Sequence, residues 1–293
     1  MQRHCNITGV RAISVFLISY CMQILGSNNV VHVMAASKTH NHQSFDSRSV
    51  LSRSEAKEVY DNFAATGHAG GKDASSGYGG PAVNALLRIG NFENATYVLD
   101  YGCGQGKLAE LVINTLEQKK LLRQAFHWRG IDQSPKMVDK FRERCVEKFG
   151  ERRCSVHLLE CDMDPEEADF SNTNCVVDRF ISTYCLDLLS EKDIYMILDK
   201  AQKVLDNENG LLLLAGITWG YQNSIKTFFM TALWELLYKF QRRKVGGCRP
   251  QALLPYLEAR GWRIEAVEYT RPDGFPWMIS EVISARPCLN PTN

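Results

Sequence analysis

Tyr97-Val98-Leu99-Asp100-Tyr101-Gly102-Cys103-Gly104-Gln105-Gly106 is an apolar run that ends in an acid and enters three glycines at alternate positions. The run predicts a buried strand, and Lys107-Leu108-Ala109-Glu110-Leu111-Val112 predicts a helix directly after the turn. Glycine there permits positive φ and lets a ligand approach the backbone with no Cβ in the way. The helix N-terminus adds unpaired N–H groups and the positive end of a dipole. A dinucleotide fingerprint is GxGxxG after the strand, with the pyrophosphate seated on the helix N-terminus. Here the spacing is GxGxG, Lys107 stands where the third dinucleotide glycine would fall, and Asp100 sits at the strand end. A carboxylate at that point suits a ligand carrying an ammonium group and hydroxyls better than a pyrophosphate.

Outward from this turn the chain alternates strand and helix. Strands are predicted at 97–101, 126–131, 155–160, 176–182 and 210–217, with helices at roughly 106–124, 134–148 and 190–205. Ser134-Pro135 supplies a cap and a proline at the first helical position. Ser190-Glu191-Lys192-Asp193 is a capped start with Asp in place of the usual Glu. Repeated strand–helix–strand units predict a parallel sheet with helices on both faces and a ligand site at the carboxyl ends of the strands. Upstream, Ser54-Glu55-Ala56-Lys57 opens a short helix with Tyr60 and Phe63 on its apolar side. Gly67 to Gly80 is a polar, glycine-rich loop, and Pro81 opens a helix through Leu87.

Downstream of the fifth strand, Thr218 to Gly247 is an insertion. Ile225, Phe228, Phe229, Ala232, Leu233, Leu236, Leu237 and Phe240 keep helical spacing, which predicts a strongly amphipathic helix. It reads either as a lid over a pocket or as a packing helix whose stripe is core. A helix over Pro250 to Ala259 follows, ending at Gly261. Strands over 262–269 and 277–285, separated by the turn Arg271-Pro272-Asp273-Gly274, close the chain.

The motif Asp100-x-Gly102-x-Gly104-x-Gly106 resembles the first motif of the class I S-adenosylmethionine-dependent methyltransferases. The resemblance covers about residues 54 to 286. It implies an α/β fold with a doubly wound, mostly parallel seven-stranded sheet whose last strand is antiparallel. It also implies that the turn, with Asp100, Gly102, Cys103, Gly104 and Gly106, cradles the amino-acid end of S-adenosylmethionine.

Further acids stand at successive strand tips. Asp132 ends the second strand, where a carboxylate can accept hydrogen bonds from two vicinal ribose hydroxyls. In the family the matching acid does so, and Gln133 follows it into the cofactor set. Asp132 reads equally as a helix cap before Ser134-Pro135. After the third strand the resemblance puts Asp162 on the adenine amino group and Met163 against the ring, with Asp164 as an alternative register. The plain alternative is a solvated acidic loop. After the fourth strand, Ser182, Thr183 and Tyr184 would border the cofactor, with Asp187 beyond. The sequence lacks the Asn/Asp-Pro-Pro-Tyr type motif of methyltransferases acting on amide or base nitrogens.

A sulfonium methyl is already activated, so the protein's task is proximity and orientation. A general base is needed only for an acceptor that starts protonated. Tyr184, Asp187 and His157 are conceivable bases, none assigned; His157 alternates with apolar neighbours and reads as structural. Substrate-contact candidates are Tyr60, Tyr184, Trp219 and Arg249. Trp219 and Tyr221 follow the fifth strand tip, and Arg249 could grip a carboxylate or phosphate. Arg249 lies in a Gly-Gly-Cys-Arg-Pro stretch that resembles one in some small-molecule methyltransferases; the basic run before it reads equally as a solvated helix end. Tyr78 and the stretch Gly274-Phe275-Pro276-Trp277 are further wall candidates.

The chain's 293 residues suffice for one large domain with extensions, and a net charge of +1 gives no electrostatic footprint for nucleic acid. The first acid is Asp46; before it come Arg3, Arg11, Lys38 and an apolar run from Ala12 to Leu25. This predicts a targeting leader over 1–37, secretory or feeding a mitochondrion or plastid, with Val33-Met34-Ala35 as a cleavage site. Ser27, Asn28 and Asn29 interrupt the run before it can form a stable membrane span. Residues 38–53 read as a disordered linker and 54–287 as the methyltransferase domain, with its helical insertion at 218–248. None of the ten cysteines forms a CxxC pair, so no metal is expected, and thiols scattered through a core favour an organelle lumen or matrix over secretion. A cytoplasmic location is the alternative. The expected function is methyl transfer from S-adenosylmethionine to a small-molecule acceptor. The alternatives are an NAD(P)-binding oxidoreductase and an inactive methyltransferase-like binding protein.

Overall fold

The computed structural model describes residues 50–66, 79–159, 176–218, 225–271 and 278–288. Its elements are α1 (Arg53–Thr66), α2 (Gly80–Ile89), β1 (Tyr97–Tyr101), α3 (Lys107–Gln118), β2 (His127–Asp132), α4 (Pro135–Phe141), β3 (Cys154–Leu158) and β4 (Arg179–Thr183). There follow α5 (Glu191–Val204), β5 (Leu211–Thr218), α6 (Ile225–Gln241), α7 (Leu254–Ala259), β6 (Arg263–Thr270) and β7 (Ile279–Arg286).

The seven strands form one sheet in the order β3-β2-β1-β4-β5-β7-β6. The first five are parallel, and β7 runs antiparallel between β5 and β6, as expected for the doubly wound class. β1 sits centrally, so its carboxyl end opens at the point where the strand order reverses, between β2 and β4.

Side chains alternate across the sheet. Val98, Ile181, Leu213 and Val282 pack on one face against Ala82 and Leu86 of α2, Val112 and Ile113 of α3 and Phe141 of α4. Leu99, Phe180, Leu212 and Ile283 pack on the other against Ile194, Ile197 and Leu198 of α5 and Leu257 of α7. Cover on both faces is why β1, β4 and β5 read as near-continuous apolar runs. At the amino end of the sheet, buried Arg179 donates from Nε to the Gly90 carbonyl at 2.7 Å, and Asp178 accepts from the Thr96 and Tyr97 amides. These two charged side chains latch the base of the domain, far from the strand tips.

Several boundaries differ from the sequence reading, each for a local reason. α1 is capped by Ser52, whose hydroxyl accepts from the Glu55 amide at 3.3 Å while Glu55 accepts from the Ser52 amide at 2.9 Å. This capping box starts the helix one residue before Ser54. α3 stops at Gln118, short of 124, because Lys120 takes φ 57°. Lys120 N–H bonds the Glu117 carbonyl at 2.9 Å and Leu121 N–H bonds the Leu116 carbonyl at 2.8 Å, a Schellman end with lysine in glycine's usual place. α7 starts at Leu254 and not Pro250, since the Gln251 amide is tied to the Ile217 carbonyl of β5 at 2.7 Å. α4 continues through a π-turn at Arg142–Val146, which seats Cys145 against Gly106.

The larger correction concerns α6. It is the helix expected, but its apolar stripe is not core: Ile225, Phe229, Leu236 and Phe240 are 73%, 64%, 52% and 72% exposed. Thr231 and Tyr238 are the buried side chains. No helix among the described residues is long and apolar enough to cross a membrane.

Candidate active site

The glycine turn is held by its neighbours in a way that leaves one side open. Gly102, Gly104 and Gly106 have φ of 76°, 52° and 73°, conformations that cost an L side chain about 1–2 kcal/mol. The amides of Gly102 and Cys103 donate to the Ile131 carbonyl at 2.8 and 3.1 Å, tying the turn to the tip of β2. A Cβ on Gly102 would strike Cys185 Sγ at 2.6 Å, and one on Gly106 would strike the Phe141 ring at 2.7 Å. A Cβ on Gly104 would meet nothing within 4 Å. Two glycines are therefore required by packing, and the third faces open space. The Cys103 thiol lies beneath the turn, where a Cβ on Gly130 would come within 2.7 Å of it.

Two acids flank the turn. Asp132 accepts from the Gly104 amide through Oδ2 and from the Ser134 amide through Oδ1, both at 2.9 Å. The Gln133 amide also supports the carboxylate, which keeps lone-pair capacity for a further donor. Asp132 thus serves both as the cap read from sequence and as the anchor of the turn. Burial pushes its carboxyl above the ordinary range, against the pull of these amides. Asp100 is buried, and its Oδ1 has no hydrogen-bond partner. Burial raises its carboxyl to about 7, with the neighbouring Asp132 charge adding to the effect. An orphaned buried oxygen beside an open glycine fits a cationic ligand group. Gln133 follows, half-buried.

The tip of β4 carries a second cluster. Ser182, expected at the cofactor, spends its hydroxyl on the Tyr101 carbonyl at 3.0 Å, and Thr183 ends the strand half-buried. Tyr184 takes φ 50°, a genuine outlier for a bulky residue. Its amide donates to the Ala215 carbonyl at 2.7 Å, and its hydroxyl lies 2.8 Å from Ser280 Oγ. Asp187 follows in a 3-10 turn, 1% exposed, and neither carboxylate oxygen has a close hydrogen-bond partner, the Ile217 and Asp187 amides giving it weak support. Burial raises its carboxyl to about 7, and the positive charge of Arg249 offsets only part of this.

Three of the four substrate candidates meet at Asp187. The Tyr60 hydroxyl of α1 lies 3.8 Å from Cys248 Sγ, and burial together with the charges of Cys248 and Asp187 raises it well above the usual phenol range. Tyr184 is raised by burial foremost, the Asp187 charge adding. Arg249 is fully buried, donating from Nη2 to the Leu189 carbonyl at 2.6 Å and from its amide to the Asp187 carbonyl at 3.4 Å. The basic run before Arg249 follows the end of α6 with Arg243 and Lys244 exposed, whereas Arg249 itself is interior. Trp219, with Asp162, Met163, Asp164, Tyr78, Tyr221 and the stretch Gly274-Phe275-Pro276-Trp277, lies outside the described residues. His157 is exposed on edge strand β3, separated from β4 by two strands, which removes it as a base.

Sequence reading missed Asp61, Cys248 and Ser280. Asp61 of α1 accepts from Ser134 Oγ at 2.5 Å and so closes α1 over the start of α4. Its i,i+4 neighbour Lys57 looked like an ordinary surface pair, so no sequence signal marked it. No His/Cys/Asp/Glu group that could hold a metal occurs among the described residues.

With β7 reversed between β5 and β6, the sheet departs from the parallel dinucleotide-binding order and is that of a class I methyltransferase. Residues 98–208 match the family model described as a methyltransferase domain, which spans β1 to α5 and both acid-bearing tips. This stretch of the chain thus matches a methyltransferase domain, and the sheet built around it has the methyltransferase fold. Similar solved structures include an O-methyltransferase family protein from Burkholderia thailandensis (TM-score 0.53, 13% identity, 80% of this chain and 60% of that one). The cyclase SpnF is also similar (TM-score 0.52, 15% identity, 81% and 97% covered). So is the apo S-adenosylmethionine-dependent methyltransferase SibL (TM-score 0.50, 19% identity, 70% and 54% covered). At these identities the likeness is one of fold, and the chain spans about half the length of SibL. No curated protein matches the chain.

Proposed function

We propose that this protein methylates a small-molecule acceptor at a hydroxyl or thiol, with Asp187 as general base. The observation that carries this reading is Asp187 itself: a buried carboxylate without a close hydrogen-bond partner, raised to about 7 against weak support from the Ile217 and Asp187 amides, at the β4 tip beside Tyr184. A base works best with a pKa near the operating pH. A buried carboxylate that its neighbours support only weakly keeps lone pairs available for an acceptor's proton.

S-adenosylmethionine supplies a sulfonium-activated methyl, so the transfer is an in-line displacement needing no further activation of the donor. Asp100 would hold the cofactor's ammonium group, and Asp132 would accept from a ribose hydroxyl with the lone-pair capacity its amide bonds leave over. Gly102, Cys103, Gly104 and Gly106 would offer backbone to the amino-acid end, and Gln133 and Thr183 would border it. Asp162 and Met163 are assigned to adenine on the family resemblance alone. On the acceptor side, Tyr60 and Tyr184 would orient the substrate. As the acceptor oxygen or sulfur takes the methyl, its proton passes to a carboxylate oxygen of Asp187. Arg249, bonded to the Leu189 carbonyl, would keep the Asp187 turn in place and temper the cost of its charge.

A small-molecule acceptor agrees with the burial of Tyr60 and Tyr184 near Asp187 and with near-zero net charge. Delivery to an organelle or the secretory pathway by a leader over 1–37 belongs to the same proposal and rests on the basic, acid-free start.

The test uses the full chain, methyl-tritiated S-adenosylmethionine and a panel of phenols, alcohols, thiols and amines. The reading expects label in a hydroxyl or thiol acceptor and its near-loss in Asp187→Asn. Label transferred equally by Asp187→Asn, or only to amines, would overturn it.

A further inference from the structure

The outward face of α6 has no counterpart in the catalytic reading. Ile225, Phe228, Phe229, Leu233, Leu236 and Phe240 are between 43% and 73% exposed along 17 residues of helix. At 100° per residue they form a single stripe opposite Thr231 and Tyr238. A soluble helix normally turns such a stripe inward. Here the inward side is held by polar atoms instead: Trp234 Nε1 donates to the Cys248 carbonyl at 3.0 Å. The stripe is therefore not a helix waiting to be turned over.

Charge says what covers it. The stretch from Ile225 to Val245 holds Lys226, Lys239, Arg242, Arg243 and Lys244 against the single acid Glu235, in a chain whose total net charge is +1. Lys239 is exposed at the edge of the stripe, and Lys244 is exposed just past its end. Arg242 lies over the Tyr238 ring at 5.3 Å, and Arg243 pairs with Glu58 of α1. A second copy of this chain would fit poorly. A two-fold contact would bring together two stretches that are each strongly net positive, and a parallel pair would set one basic end directly against the other, so like charge disfavours pairing.

We propose that α6 docks this protein on an anionic lipid surface, with its aromatic and aliphatic stripe entering the headgroup boundary and its basic end meeting lipid phosphates. A helix with an apolar face and Lys/Arg beside it lies in the interface plane. At about 1.5 Å per residue it is about 25 Å long, and it is shorter than the roughly 20 apolar residues a crossing needs. Lysine stems can lie along the apolar boundary while their ammonium groups reach the phosphates. The opposite face of α6 carries Trp234 to Cys248, which touches Tyr60, so the docked helix would stand between the lipid and the tyrosine cluster. The inference does not depend on which acceptor is methylated or on whether Asp187 is the base.

Co-sedimentation of the full chain with vesicles tests it, using phosphatidylcholine alone and phosphatidylcholine mixed with phosphatidylglycerol. The expected result is binding to the anionic vesicles, weakened by salt and at least about ten-fold weaker in Phe229→Ser/Leu236→Ser. Thermal unfolding monitors the fold of each variant. Lys239→Glu/Lys244→Glu changes exposed positions only, and its binding is expected to fall in parallel, so the test survives a double serine variant that does not fold. No binding to either vesicle by the folded protein overturns the proposal. Equal binding to neutral and anionic vesicles removes its electrostatic half. A dimer in sedimentation velocity that Phe229→Ser/Leu236→Ser breaks, with no vesicle binding, assigns the stripe to self-association instead.

Discussion

The carboxylate of Asp132, at the tip of β2, accepts the amide of Gly104, in the turn after β1, at 2.9 Å. One side chain thus fixes the glycine turn from the neighbouring strand, while its other oxygen caps the start of α4 through Ser134. Asp132→Asn leaves a single carbonyl oxygen for two N–H donors, so one amide is orphaned. An unsatisfied buried donor costs about 1–3 kcal/mol. The expected outcome is S-adenosylmethionine and S-adenosylhomocysteine affinity reduced roughly five- to 150-fold by calorimetry, with the protein still folded. Unchanged affinity for both ligands sinks the assignment of this tip to the cofactor.

Gly102 and Gly104 have similar positive φ but opposite surroundings, and they make opposite predictions. Alanine at 102 meets Cys185 Sγ at 2.6 Å, so Gly102→Ala is expected to lower the melting temperature strongly. Alanine at 104 meets nothing within 4 Å and carries only the backbone strain of about 1–2 kcal/mol. Gly104→Ala should remain the better folded of the two and lose cofactor binding the more selectively. Paired thermal melts and ligand titrations decide it. If Gly104→Ala binds as tightly as wild type, the open side of the turn is not where the ligand sits.

The fold was legible because its signals are local and repeated: apolar runs for doubly covered strands, caps at Ser134 and Ser190, and one glycine turn. Asp100 and Asp132 could be picked out because a strand tip before a helix start is visible in sequence. What escaped reading depends on three-dimensional neighbours. Lys120 ends α3 in a conformation usually given to glycine. Cys248 and Ser280 reach Tyr60 and Tyr184 across 188 and 96 residues. The stripe of α6 shows the limit of periodicity: the 3.6-residue pattern identifies a face, and only the packing of Thr231, Trp234 and Tyr238 tells which way that face points.

Asp187 makes a prediction in pH as well as in rate. Loss of a general base typically removes about 10²–10⁴-fold of rate. Asp187→Asn is therefore expected to lower turnover by that order while cofactor affinity stays within about two-fold. With a carboxyl raised to about 7, wild-type turnover should rise with pH through that value as the base deprotonates. The variant's profile should lose this limb. A variant that is slow yet keeps the same limb would make Asp187 a structural residue and place the titrating group elsewhere.

On the proposed function, Asp100 would link cofactor binding to stability. Its carboxyl titrates near 7 in the folded protein, against about 3.9 for an unperturbed Asp. Between those values the folded state holds a proton that the unfolded chain has released. Stability is then greatest below about pH 4 as far as this group is concerned, and is lost as pH rises towards 7 at up to about 1.4 kcal/mol per pH unit. Asp187 acts in the same direction over the same window. The melting temperature of the ligand-free protein should accordingly fall between pH 5 and about 7.5. An ammonium group seated at Asp100 favours the ionised carboxylate, so cofactor binding should release a proton near neutrality and weaken as pH falls below about 7. Calorimetry in buffers of different ionisation enthalpy counts that proton. Its absence, with affinity flat from pH 6 to pH 8, would mean that Asp100 meets no positive charge in the complex, and its role would reduce to shaping the turn.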